Sequence, residues 1–367
     1  MDSLVHKAYE DKFDCEELTP TKSVGDMHVL ELFHGPTYAF KDVALCMLPQ
    51  LLTAALKKKN QTKEVRIITA TSGDTGKAAL EGFKDVENIS ICVFFPHEGV
   101  SQIQKKQMIT QRGNNVHVAA VKGNFDDIQS EVKKIFVSNK CSETNYNLSS
   151  ANSINIGRLT PQIMYYFKAY SDLIADGTIA CGDKVNFSVP TGNFGDILAG
   201  FLAMKLGLPI NKLICASNAN NVLTDFINTG AYNKCRSLVK TSSPSMDILI
   251  SSNLERLLYF LCEDVDCVAK LMNDLDEKGQ YQISKTMLDD IQALFWGEYC
   301  DNQQTQDVIG RVYNKNKYLC DPHTSCGWFA AEQYRNKTND TTPMAVSSTA
   351  SPYKYTSAVL AALSLDS

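Results

Sequence analysis

The hydrophobic pattern divides the chain into short apolar runs that alternate with amphipathic segments. Glu64–Ala70 (EVRIITA) is an uninterrupted, β-branched run, as expected of a strand buried in a parallel sheet. It passes through the small-residue turn Thr71–Gly76 into a predicted helix over Lys77–Phe83. The alternation then repeats. Strands are predicted over Ile89–Pro96, Asn115–Val121 and Tyr146–Ser150, and helices over Ser101–Arg112 and Phe125–Val137. Repeated βα steps of this kind predict a compact α/β unit. Upstream, a helix over Ser3–Phe13 and a strand near His28–Leu32 lead to His34–Asp42, then to an apolar helix over Val43–Leu52 and a basic linker, Leu56–Lys63. Downstream, a helix over Leu159–Ile174 precedes a buried strand over Lys184–Val189. The turn Thr191–Asp196, a helix over Ile197–Leu206, a strand over Leu213–Ser217 and a helix over Val222–Asn228 follow. Helices are then predicted over Met246–Cys262, Val265–Lys278, Ile283–Phe295, Thr305–Tyr313 and Ser325–Tyr334. A short strand over Met344–Ser348 and a helix over Tyr355–Leu363 close the chain.

Length turns this pattern into two domains around one cleft, because 367 residues are many for one compact domain. The expected division is 1–63 plus 157–367 against a smaller α/β domain, 64–156. A hydrophobic fraction of 44% and a charged fraction of 21% are ordinary for a globular protein. A net charge of −5 supplies no polycation for nucleic acid and no basic stripe for membranes, so neither partner is expected. No apolar run reaches membrane-spanning length. Twelve cysteines without a C-x-x-C pair, and no apolar leader among Met1–Cys15, suit free thiols in a reducing compartment; the cytoplasm is the default. Six scattered histidines show no metal-ligand spacing, and no metal is expected.

Three stretches carry candidate chemistry. Lys41 lies in the aromatic, turn-rich stretch Glu31–Asp42, just before an apolar helix. A lysine there either closes a loop at the surface or is dried by its neighbours; drying lowers its pKa and yields the neutral amine of Schiff-base chemistry. Thr71–Gly76 and Thr191–Asp196 are both strand–turn–helix joints containing glycine. Such joints aim backbone N–H groups at an anion, although they are also the ordinary way to leave a strand for a helix. Asn152, Ser153, Asn155 and Arg158 cluster at one helix start, where they serve either as caps or as phosphate donors. Neither glycine-bearing turn has the Walker Lys-Ser/Thr pair or a convincing dinucleotide spacing.

Several stretches together resemble one family. His34-Gly-Pro-Thr-Tyr-Ala-Phe-Lys-Asp42, Ala70-Thr-Ser-Gly-Asp-Thr-Gly76, Asn152-Ser-Ile-Asn155 with Arg158, Pro190 to Gly200, Met246-Asp-Ile-Leu, Asp321-Pro-His-Thr324 and Ser348-Thr-Ala350 occur in the order found in threonine synthases. Phe94-Phe-Pro-His-Glu-Gly-Val-Ser, Ile214-Cys-Ala-Ser-Asn and Leu223-Thr-Asp-Phe are similar to the threonine synthase-like proteins. The resemblance implies an α/β fold of pyridoxal-phosphate fold type II. That fold has two open, twisted, mostly parallel sheets flanked by helices, with pyridoxal 5'-phosphate in the interdomain cleft. It implies that Lys41 holds the cofactor covalently and is the catalytic residue. Gly192, Asn193, Phe194, Gly195 and Asp196 would bind the cofactor's phosphate, and Thr349 its pyridine nitrogen. Ser72, Asp74, Thr75, Asn152, Ser153, Asn155 and Arg158 would bind the substrate, O-phosphohomoserine.

The implied activity is that of a carbon–oxygen lyase acting on phosphates, which makes threonine and phosphate from O-phosphohomoserine and water, in a monomer or homodimer. Two other readings stay open: a phospho-lyase releasing 2-oxobutyrate from the same substrate, and a non-catalytic cofactor-binding protein. The family's Thr-Ala-His-Pro stands here as Thr349-Ala350-Ser351-Pro352. The further N-terminal segment usual in the family is expected to be absent before Met1.

Overall fold

The computed structural model describes residues 2–71, 73–98, 100–123, 125–138 and 146–365. Their strands, in chain order, are β1 (Thr21–Val24), β2 (Met27–Glu31), β3 (Glu64–Ala70), β4 (Ile89–Pro96), β5 (Val116–Val121) and β6 (Tyr146–Ser149). They continue as β7 (Val185–Pro190), β8 (Ile210–Ser217), β9 (Ala231–Asn233), β10 (Gln280–Gln282), β11 (Phe295–Tyr299) and β12 (Met344–Ser348). Backbone packing divides the chain into two units, 1–18 with 33–162, and 19–32 with 163–367.

The first unit is built on a four-stranded sheet of order β5-β4-β3-β6, parallel throughout. Side chains alternate across a strand, so Val65 and Ile67 share one face with Ile89, Ile91, Val93 and Phe95. That face packs on Leu45 and Leu48 of the Lys41–Lys58 helix, on the Asp74–Phe83 helix and on Met108. On the other face, Ala70, Ile68 and Phe94 meet Ile128 and Val132 of the Phe125–Val137 helix. The division expected from the sequence places the Lys41 helix with the other domain; here its apolar side completes the core of the four-stranded sheet.

Two helices of this unit touch backbone to backbone. Pro49 lies inside the Lys41–Lys58 helix and has no N–H, so the Leu45 carbonyl loses its usual donor four residues on. Gly82 lies against that carbonyl: a Cβ there would stand 2.1 Å from the Leu45 oxygen. A glycine Cα–H, the one group that fits, faces the oxygen that proline left free.

The second unit is built on a six-stranded sheet, β1-β2-β12-β7-β8-β11. Only the β1/β2 hairpin is antiparallel; β12 pairs in parallel with β2 and β7, and β8 with β7 and β11. β7 is buried at all six positions, as a central strand covered on both faces must be. The Pro322–Thr338 helix contributes Trp328, Ala330, Ala331 and Tyr334 to a core with Val29, Ile214 and Val346. β9 and β10 form a separate two-stranded ribbon.

Several elements differ from the sequence expectation. The segment expected as a basic linker from Leu56 is helix as far as Lys58. The helix expected over Leu159–Ile174 is interrupted by a 3-10 turn, Thr160–Gln162, and resumes at Ile163, because Pro161 cannot donate. The helix expected from Met246 starts at Leu254, and Pro244–Met246 is a 3-10 turn. The helix expected over Ile283–Phe295 ends at Leu294, where the chain turns into β11. There Gly297 lies against Thr224, a Cβ at 297 falling 3.1 Å from the Thr224 Cα. Among the described residues no helix is long and apolar enough to cross a membrane.

The close approach at Gly82 yields a prediction. Gly82→Ala forces the two helix backbones apart and should lower unfolding stability by about 2–3 kcal/mol in urea titration, the usual scale of overpacking. An unchanged midpoint would show that the helices are not in backbone contact.

Candidate active site

In the first unit, one carboxylate folds the loop that carries Lys41. Asp42 is 1% exposed and accepts hydrogen bonds from the Thr37 N–H at 2.9 Å, the Thr37 hydroxyl at 2.5 Å and the Ala39 N–H at 3.4 Å. Gly35 packs onto the same side chain, where a Cβ would lie 2.4 Å from the Asp42 Cβ. Tyr38 takes the left-handed conformation, φ 58°. The clasp sets Lys41 as the first residue of its helix, 8% exposed, with Nζ 4.2 Å from the centroid of the Phe40 ring. The burial of Lys41 and its contact with the Phe40 ring therefore follow from the local fold of this loop.

The turn after β3 is organised by a hydroxyl that the sequence reading passed over. Thr71 Oγ1 accepts from the Gly73 N–H at 3.0 Å and the Gly76 N–H at 2.9 Å. Asp74 opens the Asp74–Phe83 helix, is buried, and receives a hydrogen bond from Gln104 Nε2 at 2.9 Å. Gly73 has φ 152°, and a Cβ on it would fall 2.6 Å from the Gln104 carboxamide. Ser72 lies outside the described residues.

The second candidate cluster is joined to this turn by its own side chains. Asn152 Oδ1 accepts from the Ala70 N–H at 3.0 Å and Asn152 Nδ2 donates to the Ala70 carbonyl at 2.8 Å, extending the edge of the sheet with an amide. Asn155 caps the short helix Ile156–Leu159 by accepting from the Gly157 N–H at 3.0 Å, and donates to the Ser150 carbonyl at 2.9 Å. Arg158, 3% exposed, donates to the Ala151 carbonyl at 2.9 Å and reaches Thr75 Oγ1 at 3.5 Å. Ser153 is buried beside them. Asp74, Thr75, Asn152, Ser153, Asn155 and Arg158 are thus drawn to the C-terminal ends of β3 and β6, the edge where open α/β sheets receive ligands. Asn152 and Asn155 act there as scaffold, with both ends of each amide engaged by backbone.

In the second unit, β7 ends at Pro190 and hands the chain to Gly192–Asp196. The Gly192 carbonyl accepts from Ser251 Oγ at 2.6 Å. The Asn193 carbonyl accepts from the Asn253 N–H and from Asn253 Nδ2, both at 3.1 Å. A trans peptide directs its N–H opposite to its carbonyl, so the N–H groups of Asn193 and Phe194 point away from the 251–253 loop. Phe194 takes a left-handed φ of 64°, and the Gly195–Lys205 helix starts directly after it. Asn193 Oδ1 accepts from the Gly195 N–H at 3.0 Å. A helix N-terminus preceded by outward-facing N–H groups is an anion cradle.

Asp196, the second residue of the Gly195–Lys205 helix, is buried against Tyr166. Its carbonyl and carboxylate both accept from Tyr166 Oη, at 2.8 and 3.2 Å. Burial first, and then the Asp196 carboxylate, push the Tyr166 phenol well above its ordinary value, which keeps it a donor. Thr349 follows the last residue of β12 and is buried. Ser351 is buried just beyond it.

Against this geometry, residues 18–348 match the profile of a family described as "Pyridoxal-phosphate dependent enzyme". The Homo sapiens protein named Threonine synthase-like 1 is 40% identical over 375 residues, which cover 99% of this chain and 50% of that protein. Threonine synthase of Saccharomyces cerevisiae is 38% identical over 387 residues, covering 98% of this chain and 74% of the yeast protein. A solved structure of threonine synthase from Brucella melitensis with PLP bound superposes at a TM-score of 0.89 and 41% identity, covering 100% of this chain and 76% of that one. The chain spans half the length of the human threonine synthase-like relative.

The Asp42 clasp is testable. Asp42→Ala strips the partner from two buried N–H groups and a hydroxyl and should cost about 3 kcal/mol in urea titration. Asp42→Asn, which retains one acceptor oxygen, should fall between wild type and Asp42→Ala. Equal stability of all three proteins would show that the loop does not depend on the carboxylate.

Proposed function

The chain belongs to the pyridoxal-phosphate dependent enzymes, and within them to the threonine synthases, and we propose that it converts O-phosphohomoserine and water to threonine and phosphate. The observation that carries this reading is the Gly192–Asp196 turn. Its carbonyls are tied back by Ser251 and Asn253, and its N–H groups are presented ahead of a helix. That arrangement fits the phosphate of pyridoxal 5'-phosphate: it supplies several N–H donors and helix-dipole charge without a positively charged side chain. The buried hydroxyl of Thr349 at the end of β12 fits the ring nitrogen, to which a neutral hydroxyl can donate.

When bound, the cofactor supplies the electron sink for carbanion chemistry. Everything else is asked of this chain's own residues. Lys41 would hold the cofactor covalently through Nζ and, once released, serve as the base that takes the substrate's α-proton and moves protons among its carbons. For this its amine must be available as a base in the released state. Arg158 and Thr75, with the N–H groups that open the Asp74 helix, would bind the substrate's phosphate and stabilise its departing charge. Asn152 and Asn155 would serve by fixing the position of that edge, since their amides are committed to backbone.

One difference favours a second outcome. Ser351 stands where the resemblance to the family calls for histidine, two residues after Thr349. The serine hydroxyl is shorter than an imidazole and has no aromatic ring. If water addition fails in consequence, the same early steps end in 2-oxobutyrate.

Incubation of the purified protein with pyridoxal 5'-phosphate and O-phosphohomoserine should release phosphate and threonine in equal amounts. Phosphate with 2-oxobutyrate in place of threonine would establish the phospho-lyase, and a bound cofactor with no phosphate release would overturn both activities. Lys41→Ala should lose covalent attachment of the cofactor, read as the loss of borohydride-trapped label. Undiminished trapping on that variant would remove Lys41 from its role.

A further inference from the structure

The Asp321-Pro-His-Thr324 stretch has no part in the chemistry above, yet it is among the most buried polar sites of the molecule. Asp321 is 0% exposed and caps the Pro322–Thr338 helix. Its carboxylate accepts from the His323 N–H at 2.9 Å, the Thr324 N–H at 3.3 Å and the Thr324 hydroxyl. These three bonds are ordinary helix capping and would be available whatever side chain stood at 323.

The histidine ring goes further. His323 is buried, with Nδ1 2.7 Å from Asp321 Oδ1 and Nε2 3.2 Å from the backbone nitrogen of Ser245, 78 residues away in sequence. A backbone N–H can only donate, so Nε2 must be the bare acceptor, and the ring proton lies on Nδ1, facing the carboxylate. The two partners therefore fix a neutral ring in one tautomer. Tyr355 packs edge-on at 4.9 Å and blocks rotation.

What this ring holds is the back of the anion cradle. Ser245 belongs to the 3-10 turn Pro244–Met246. Its carbonyl oxygen and the Met246 Cα lie 3.2 Å from the place where a Cβ of Gly192 would be. The far side of the same loop is pinned by Asp247, whose carboxylate accepts from Asn218 Nδ2 at 2.8 Å, Asn220 Nδ2 at 3.0 Å and the Thr241 hydroxyl at 2.7 Å. Gly192 is thus clasped between Ser251, on its carbonyl, and the carbonyl of Ser245, the residue that His323 holds by its N–H.

We propose that His323 is a positioning residue of the phosphate turn: its Nε2 holds Ser245 by the backbone N–H, which seats the Ser245 carbonyl against Gly192 and so sets where the N–H groups of Asn193 and Phe194 stand. This rests on the reading that Gly192–Asp196 holds the cofactor's phosphate. A ligand without that phosphate does not sense the spacing. His323 therefore matters for pyridoxal 5'-phosphate and not for pyridoxal, although both react with the same lysine.

The test compares the affinities of the full chain for pyridoxal 5'-phosphate and for pyridoxal, by absorbance titration, in wild type, His323→Asn, His323→Gln and His323→Phe. Asparagine can replace Nδ1 but does not reach Ser245; glutamine places an acceptor near Nε2; phenylalanine fills the volume with neither. Affinity for pyridoxal 5'-phosphate should fall about tenfold, or about 1.4 kcal/mol, in His323→Asn and His323→Phe, and recover most of that loss in His323→Gln. Affinity for pyridoxal should be the same in all four proteins. Equal loss for both ligands, or no difference between His323→Asn and His323→Gln, would overturn the proposal and leave a merely structural histidine. If His323→Phe fails to fold, the asparagine–glutamine pair decides. A wild type that binds pyridoxal as tightly as pyridoxal 5'-phosphate would instead overturn the assignment of the turn itself.

Discussion

A parallel strand cannot turn back on itself; it must pass its chain to a helix at its C-terminal end. The four-stranded sheet is parallel throughout and the six-stranded sheet is so in all but its β1/β2 hairpin. In each sheet the turns after the strands therefore gather along one edge, and their peptide groups lose the ladder partners that the strands enjoyed. Buried N–H and carbonyl groups without partners are costly. Short polar side chains meet this need at each turn: Thr71 after β3, Asn152 and Asn155 after β6, Ser251 and Asn253 behind the turn after β7. Once the inward side of a turn is satisfied by side chains, its remaining N–H groups face outward and can serve a ligand.

Buried carboxylates do the same work where a single acceptor is not enough. Asp42 gathers three donors from the Lys41 loop, and Asp321 takes four from its own helix start. Burying an ionised carboxylate is expensive unless its oxygens are fully engaged, and here they are. The result is rigidity at the points where geometry matters most: the residue that would carry the cofactor and the turn that would hold its phosphate. Asp321 also reaches toward β12, since the Thr324 hydroxyl lies 3.0 Å from Ser348 Oγ, one residue before Thr349. One carboxylate thus stands behind both second-unit stretches proposed for the cofactor, the Gly192–Asp196 turn and Thr349.

The kinship with threonine synthases and with a threonine synthase-like protein is about equal in identity, near 40% in each case. Identity alone therefore does not separate a synthase from a relative that has kept the cofactor and changed the outcome. Ser351 stands at a position where the resemblance to the family calls for histidine. The distinction belongs to product analysis.

The sequence by itself determined the α/β class, most of the strands, and the short motifs at the strand ends, because buried parallel strands are continuous apolar runs and their turns are rich in small residues. It also determined the chemical identity of the candidate site: a lysine in an aromatic loop and glycine-bearing turns suited to anions. The hairpin β1, the ribbon β9/β10 and strand β11 were not legible, since each is short and is held by its partner strand, not by its own pattern. Nor was the placement of the Lys41 helix on the four-stranded sheet, which rests on Gly82 meeting a carbonyl that Pro49 leaves free. Only the tertiary structure decided which of these polar side chains are committed to backbone. Asn152 and Asn155 look like ligand donors until their amides are seen to be engaged by backbone, and His323 looks like part of a helix start until its ring reaches Ser245. A hydrogen-bond partner distant in sequence leaves no trace in local composition, and the assignment of such side chains waits on the fold that brings the partner near.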